Sequence, residues 1–135
     1  MLNGTNAFSG FSVDDIGKAK TFYGNTLGLK VTENAMGLLE LHVGGGNPII
    51  IYPKDPGHSP ASFTIVNFRV KDIDGTIDQL TAAGVSFEHY DMPNLKTDAK
   101  GVARGAASGR GPNIAWFKDP AGNILSILEE CYRTV

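Results

Sequence analysis

The sequence predicts an α+β fold made of two similar βαβββ modules, and three observations support this prediction. One pattern occurs twice, first from Phe8 to Val31 and again from Ile65 to Phe87. In each copy an alternating apolar stretch leads to an aspartate, and apolar residues then recur at three- and four-residue steps, as in a strand followed by an amphipathic helix. Breaks rich in glycine or proline then separate further apolar stretches in each half.

The predicted helices begin at Asp15 and Asp72. An aspartate at this position accepts hydrogen bonds from the first free amides of a helix. Gly28 and Gly84 follow the two patterns, and glycine readily takes the left-handed conformation that ends a helix. The apolar positions of the two helices are Ile16, Ala19, Phe22, Tyr23 and Leu27 in the first, and Ile73, Ile77, Leu80 and Ala83 in the second. Each helix is therefore expected to bury one face.

Four strands are expected in each half. The expected ranges are residues 7–13, 29–33, 37–43 and 48–52 in the first half, and 63–70, 86–92, 113–118 and 124–128 in the second. The segment 93–112 is long, polar and glycine-rich, which favours a mobile flap. The turn Asp119-Pro120-Ala121-Gly122-Asn123 is expected to join the last two strands.

Length and composition indicate a single globular domain. The chain has 135 residues, of which 41% are hydrophobic and 19% charged. We expect one domain over residues 1–135, with module one at about 5–53, a linker at 54–61 and module two at about 62–130.

Charge and cysteine content exclude several classes of function. The net charge is -2, with no run of lysine or arginine, so nucleic acid is not an expected partner. No apolar run reaches the length of a membrane span, so no membrane partner is expected. The single cysteine, Cys131, rules out an internal disulfide, and with no signal peptide in residues 1–7 a cytoplasmic location is expected.

Several short motifs resemble those of a known family. The motifs VDDI at 13–16, FY at 22–23 and LGL at 27–29 are similar to the first module of the vicinal oxygen chelate superfamily. This superfamily includes glyoxalase I, bleomycin-resistance proteins and extradiol dioxygenases. AAGV at 82–85 and FKDPAGNIL at 117–125 resemble its second module. The resemblance covers nearly the whole chain, and implies curved mixed sheets around a shared cleft and a homodimer.

The resemblance also identifies where metal ligands would lie. In metal-dependent members, a histidine or glutamine begins the first strand of each module, and a carboxylate lies on the last. The matching first-strand positions are Phe8 and Ile65, and the matching closing-strand position is Ser126. The remaining position falls within 49–52, which offers no carboxylate or imidazole. A divalent ion needs several nitrogen or oxygen donors, so the usual metal site is expected to be absent, and no cofactor is expected.

Aromatic and apolar residues are the first group of candidate ligand contacts. Trp116 is the only tryptophan and lies on a strand that should border the cleft, with Ile114 on the same face by alternation. A flat ring suits stacking on a planar or cationic ligand, although such a ring more often belongs to a core. Phe11 and Tyr52 are expected to add apolar walls, and Ser126 lies on the closing strand.

Polar residues form the second group. His89 and Asp91 are two apart on a predicted strand, so both would face the cleft together as an acid–base pair or as ligand contacts. A solvated face is an equally good interpretation of this pair. Arg110, in the expected flap, is a candidate to close onto an anionic group, with an exposed loop arginine as the alternative. His42 is expected to face solvent, as is His58 in the linker.

The leading hypothesis is a metal-free member of this superfamily that binds or sequesters a small organic molecule in a partly apolar cleft. One alternative is a glyoxalase-like lyase or isomerase, or a dioxygenase-related enzyme. Such an enzyme would use a displaced metal site near His42 or His89, or the acid–base pair of His89 and Asp91. A further alternative is a dimerising module without a ligand.

Overall fold

The computed structural model describes residues 1–109 and 111–129. The predictions for Arg110 and Cys131 lie outside these residues. The chain divides into two compact units, Met1–Pro60 and Ala61–Val135, and the boundary between them falls in the predicted linker. In the described ranges, no helix is long and apolar enough to cross a membrane.

The first unit contains a four-stranded mixed sheet in the order β1-β4-β3-β2. β1 runs parallel to β4, and the other two pairings are antiparallel. The elements are β1 at Gly10–Val13, helix α1 at Ile16–Thr21, a π-helix at Phe22–Thr26, β2 at Lys30–Glu33, β3 at Leu39–His42 and β4 at Ile49–Pro53. This is the predicted βαβββ order, with strands that are shorter than predicted at several ends.

The helix of the first unit begins where the sequence predicts. The Asp15 side chain accepts a hydrogen bond from the Lys18 amide at 3.0 Å, and Gly28 has φ +74°. The second part of this predicted helix differs, because its backbone widens into a π-helix at Phe22. There the Leu27 amide donates to the Phe22 carbonyl, five residues back.

One face of this sheet forms the core of the first unit. Alternation along the strands directs every second side chain to the helical side. Tyr23 is fully buried there, and its ring lies 5.8 Å from that of Phe11 and 5.2 Å from that of Phe22. The other buried strand residues of this face are Val13, Leu39, Leu41 and Ile51.

The second unit repeats the mixed arrangement with strand order β5-β10-β9-β8. β5 is parallel to β10, while β9 is antiparallel to both of its neighbours. The elements are β5 at Thr64–Val70, helix α2 at Ile73–Ala82, a hairpin of β6 at Asp91–Met92 and β7 at Leu95–Lys96, β8 at Val102–Arg104, helix α3 at Gly105–Ser108, β9 at Asn113–Lys118 and β10 at Ile124–Glu129.

Both ends of α2 agree with the sequence prediction. The Asp72 side chain accepts from the Gly75 amide at 3.2 Å, and Gly84 has φ +101°. The helix packs over β9 and β10. Its buried residues Ile73 and Ile77 join a core that also contains Val85, Val102, Ala115, Phe117, Leu125 and Ile127.

Two predictions for the second unit are wrong. The strand expected over 86–92 is absent, and only Phe87 forms an isolated bridge, to Phe117, before the short strand β6. The segment 93–112 is not one irregular loop, because Val102–Arg104 pairs with β9 and completes the sheet. The sequence therefore assigns the second strand of this module too early along the chain.

Candidate functional site

The sheet of the second unit has a helix-facing side and an open side. Ala115, Phe117 and Leu125 are buried on the first side. By alternation, Ile114 and Trp116 lie on the open side, as the sequence predicts. Ser126 is the cross-strand partner of Trp116 and therefore shares this face. Ile114 and Trp116 are partly exposed on this side and can contact a ligand, whereas Ser126 is fully buried and the ligand contact predicted for it is not supported.

Trp116 is held in place by two contacts. Its indole N–H donates to the Thr64 hydroxyl at 3.1 Å. Its ring meets the Tyr90 ring nearly edge-on, with centroids 5.5 Å apart and an interplanar angle of 79°, which is a favoured aromatic geometry. Burial, and then the nearby Glu88 carboxylate, raise the pKa of Tyr90, so its phenol is neutral at pH 7.

Trp116 and Ile114 line a cavity of about 450 Å³ that lies entirely within the second unit. Leu95, Ala103 and Pro112 add to its walls. This volume lies in the range typical of small-molecule sites, and the mixture of apolar walls with a few polar groups is also typical.

The two described cations of this cavity, Lys96 and Arg104, have different surroundings. The Arg104 guanidinium forms ion pairs with Asp74, at 2.8 Å, and with Asp98, at 2.9 Å. Lys96 is exposed on the rim and makes no ion pair within the described part of the chain. Arg104 therefore supports the protein structure, while Lys96 can meet an approaching ligand.

Ser126 is fully buried, and its hydroxyl donates to the Asn67 side chain at 2.5 Å. These two residues face each other on the parallel strands β10 and β5. Ile65 lies at a bulge between the paired residues Thr64 and Val66. The strands that would carry metal ligands in this module thus offer the Ser126 hydroxyl and the Asn67 side chain, which form a hydrogen bond with each other.

The residues present in these strands do not fit the family's metal. The matching positions in the first unit, Phe8 and residues 49–52, supply hydrocarbon side chains and a tyrosine. No group of three or more histidine, cysteine or acidic residues comes together among residues 1–109 and 111–129. A divalent ion has no donor set at the expected positions.

His89 and Asp91 do not form the predicted pair. Both residues are exposed, and His89 precedes the short strand β6 instead of sharing a strand with Asp91. The His89 Nε2 atom lies 3.1 Å from the Ala99 carbonyl oxygen. No hydrogen bond or ion pair joins the two side chains among the described residues, so this geometry gives no support to an acid–base role for them.

In the first unit, Tyr52 lies on the open side of the sheet and is partly exposed, and it lines neither of the two described cavities. Phe11 was expected to form an apolar wall of the cleft, and this prediction is wrong. It is buried on the helix-facing side against Tyr23, because its position in β1 alternates with that of Ser12. His58 was expected to be exposed, but it is half-buried, with its Nδ1 atom 2.7 Å from the Ser12 hydroxyl.

A second cavity, of about 510 Å³, lies within the first unit and was not predicted. Phe8, Met36, Leu38 and Ile50 form apolar parts of its wall, and Glu40 also lines it. These residues come from three separate segments. The only local signal in the sequence is the alternation of Leu39 and Leu41 with Glu40, which places Glu40 on the open side.

The family model of the glyoxalase/bleomycin resistance protein/dioxygenase superfamily matches residues 8–127. No curated protein sequence gives a significant match.

Solved structures of the same fold cover almost the whole chain. A member of this superfamily from Sphaerobacter thermophilus DSM 20745 has a TM-score of 0.66 and 24% identity, and covers 96% of this chain and 100% of its own. TnmS3, an antibiotic binding protein from Streptomyces sp. CB03234, has a TM-score of 0.62, 22% identity and coverage of 93% and 97%. A glyoxalase family protein from Enterococcus faecalis has a TM-score of 0.64, 20% identity and coverage of 96% and 100%.

Two four-stranded mixed sheets with βαβββ order, together with a family match over residues 8–127, agree with the resemblance of the sequence motifs. The chain belongs to the glyoxalase/bleomycin resistance protein/dioxygenase superfamily.

Proposed function

We propose that this protein binds a small organic molecule with a flat aromatic part in the cavity of the second unit, and that it sequesters this molecule without a metal ion. The observation that carries the proposal is Trp116, whose ring borders a 450 Å³ cavity and is fixed by Thr64 and Tyr90. A large ring that is already oriented loses little conformational entropy when a ligand stacks on it.

The chemistry of the cavity favours binding over turnover. Its described walls are mainly apolar near Trp116, and Arg104 is occupied by two aspartates. Catalysis needs an acid, base, nucleophile or metal positioned at the ligand. The described lining residues include no histidine, carboxylate or cysteine.

One relative of the same fold is consistent with this proposal. TnmS3 is described as an antibiotic binding protein, which indicates that a protein of this architecture can act by holding a small molecule. The identity of 22% supports the fold alone, so the ligand of that protein is not transferred to this chain.

The enzymatic alternatives have weaker support. A displaced metal site near His42 would have one histidine and one carboxylate, Glu40, with the Thr32 hydroxyl beside them, whereas catalytic zinc usually takes three histidine, carboxylate or cysteine ligands from the protein. The other alternative needs His89 and Asp91 to act together, and no contact joins their side chains among the described residues. Sequestration therefore remains the better-supported function.

The test is a binding titration with flat aromatic probes, such as 8-anilinonaphthalene-1-sulfonate and anthraquinone-2-sulfonate. Trp116 is the only tryptophan, so its fluorescence reports on the cavity directly. We expect saturable quenching with one site per chain. By calorimetry, Trp116→Ala should weaken binding by roughly tenfold, the size of a lost aromatic contact.

The matched control is Phe63→Ala, which removes an exposed aromatic side chain that does not line the cavity. If Trp116→Ala and Phe63→Ala bind the probes as tightly as the wild type does, the cavity is not the site. Elemental analysis and thermal unfolding with divalent ions form the second arm. A stoichiometric metal that stabilises the protein would contradict the metal-free part of the proposal.

A further inference from the structure

We infer that the first unit contains a binding site for an organic cation, in which a positively charged ammonium group lies against Glu40 and an apolar body fills the 510 Å³ cavity. All residues that line this cavity belong to the first unit. The inference therefore does not depend on the function proposed for the second unit.

The charge of the cavity decides the class of ligand. Glu40 is the only charged residue among the described residues that line it, and the rest of the lining is apolar or carries amide groups. A carboxylate beside apolar walls attracts a cation more strongly than it would in bulk water, because the surrounding dielectric constant is lower. Anionic ligands would be repelled for the same reason.

Contacts on the sheet hold the Glu40 side chain. The Thr32 hydroxyl lies 3.3 Å from its Oε1 atom and 2.8 Å from the Nε2 atom of His42. The side chain is 33% exposed, and its Oε2 atom has no hydrogen bond among the described residues. Lys30, on the same face, makes no ion pair with Glu40 within these residues, and the His42 Nε2 atom lies 3.9 Å from the same Oε1 atom. One carboxylate oxygen is therefore fixed while the other can receive a ligand.

The apolar walls include two large side chains that are left in water. Phe8 is 69% exposed and Met36 is 78% exposed. A ligand that covers them would gain hydrophobic free energy. The face of a phenyl ring also attracts an ammonium group, and the flexible methionine can adapt to the shape of the ligand. These residue types thus suit the apolar body and the charge of the same molecule.

Hydrogen bonds preform the rim of the cavity. The Asn34 side-chain oxygen accepts from the amides of Met36 and Leu38, both at 3.0 Å, and so fixes the turn that carries them. The Asn47 side chain donates to Asn6 at 2.7 Å and to the carbonyl of Ala7 at 2.6 Å. This second pair of bonds ties the segment next to Phe8 to the turn before β4. These hydrogen bonds within the protein order the walls, which lowers the entropic cost of binding.

The experiment is a titration followed by backbone amide NMR, with benzyltrimethylammonium as the cationic probe and phenylacetate as an anion with the same ring. We expect the cation to shift the amides of Met36, Leu38 and Glu40, and the anion to leave them in place. Glu40→Gln should weaken binding of the cation by about tenfold or more, since a charged contact becomes neutral.

The matched control is Glu33→Gln. It removes the same charge from the same sheet, but Glu33 is paired with Lys20 at 2.6 Å and does not line the cavity. This variant should bind like the wild type. Glutamine at position 40 can still accept the Thr32 hydrogen bond, so the amide spectrum of Glu40→Gln should show a folded protein.

Three results would overturn the inference. In the first, Glu40→Gln and Glu33→Gln have equal affinity for the cation, so that Glu40 has no special role. In the second, phenylacetate shifts the same amides as strongly as the cation, or neither probe shifts them up to its solubility limit. In the third, the Met36 and Leu38 amides move with protein concentration alone, which would show that a second copy of the chain covers the cavity.

Discussion

Asp119 is a buried carboxylate in the turn between β9 and β10, and it organises that turn. Its Oδ1 atom accepts hydrogen bonds from the amides of Ala121 and Asn123, both at 2.9 Å. Its Oδ2 atom accepts from the Asn123 side chain at 3.0 Å. The turn therefore holds the two strands that carry Trp116 and Ser126 at their correct register.

Replacing Asp119 with alanine should lower the free energy of unfolding by about 1–3 kcal/mol, because buried amide donors lose their acceptor. The measurement is urea unfolding followed by circular dichroism. Asp14→Ala is the control, since Asp14 is exposed and its side chain makes no hydrogen bond among the described residues. Equal unfolding free energies for the two variants would show that the Asp119 hydrogen bonds do not stabilise the fold.

At the scale of elements, β8 is fastened to α2 by an ionic cluster. Arg104 on β8 binds the two carboxylate oxygens of Asp74, in the first turn of α2, at 3.1 and 2.8 Å. Lys100 lies 3.2 Å from Asp74 and from Asp78. Burial would raise the pKa of Asp98, but bonds from the Val102 amide, from Arg104 and from the Lys100 amide lower it. The cluster holds a three-residue edge strand in the sheet.

This cluster predicts a loss of stability in acid. The hydrogen bond from Arg104, followed by that from Lys100, lowers the pKa of Asp74 from its usual 3.8 to about 2. The folded state thus binds fewer protons than the unfolded chain, so the stabilisation is complete above about pH 3.8. It should be lost as the pH falls from there towards 2.

Asp74→Asn should therefore cost about 1 kcal/mol near pH 7 and less near pH 3. Asp74 is 44% exposed, so solvent screens the pairs and limits their contribution. Urea unfolding at the two pH values measures the difference, with Asp78→Asn as the control because Asp78 is 72% exposed and contacts only Lys100 in the cluster. A pH dependence in Asp74→Asn equal to that of the wild type would contradict the prediction.

The same elements show which features could be predicted from the sequence. The helix starts at Asp15 and Asp72 and the turn after Asp119 depend on bonds within four residues, which the local sequence specifies. In contrast, β8 exists because Val102 pairs with Ala115 across the chain, and three residues among glycines carry no periodic signal. Residues 86–92 alternate like a strand, but only Phe87 forms a bridge to β9, while Asp91 and Met92 pair within the β6–β7 hairpin.

Some residues of the candidate sites could also be predicted from the local sequence, and others could not. Alternation correctly placed Ile114 and Trp116 together, because they lie on one strand. Alternation gave the wrong position for Phe11, because a two-residue period alone does not show which face of β1 packs against the helix. The Glu40 cavity could not be predicted, because Phe8, Met36 and Ile50 reach it from different segments.

At the scale of the whole molecule, large apolar side chains remain exposed in both units. Phe8 and Met36 line the cavity of the first unit, whereas Phe63 and Met92 of the second unit are exposed and line neither described cavity. Strands β1 and β2 form the two edges of one sheet, and β5 and β8 those of the other. Exposed edges and apolar groups favour association between protein chains.

We therefore predict a homodimer, in agreement with what the family resemblance implies. Light scattering during gel filtration should give twice the chain mass of 14.4 kDa over a range of protein concentrations. Phe63→Ser should shift the equilibrium towards the monomer if this exposed ring is covered in the dimer, while Lys54→Ser, an exposed polar change in the linker, should not. A mass of one chain at the highest concentration would contradict the prediction, and would mean that the exposed apolar groups stay in water or serve a ligand.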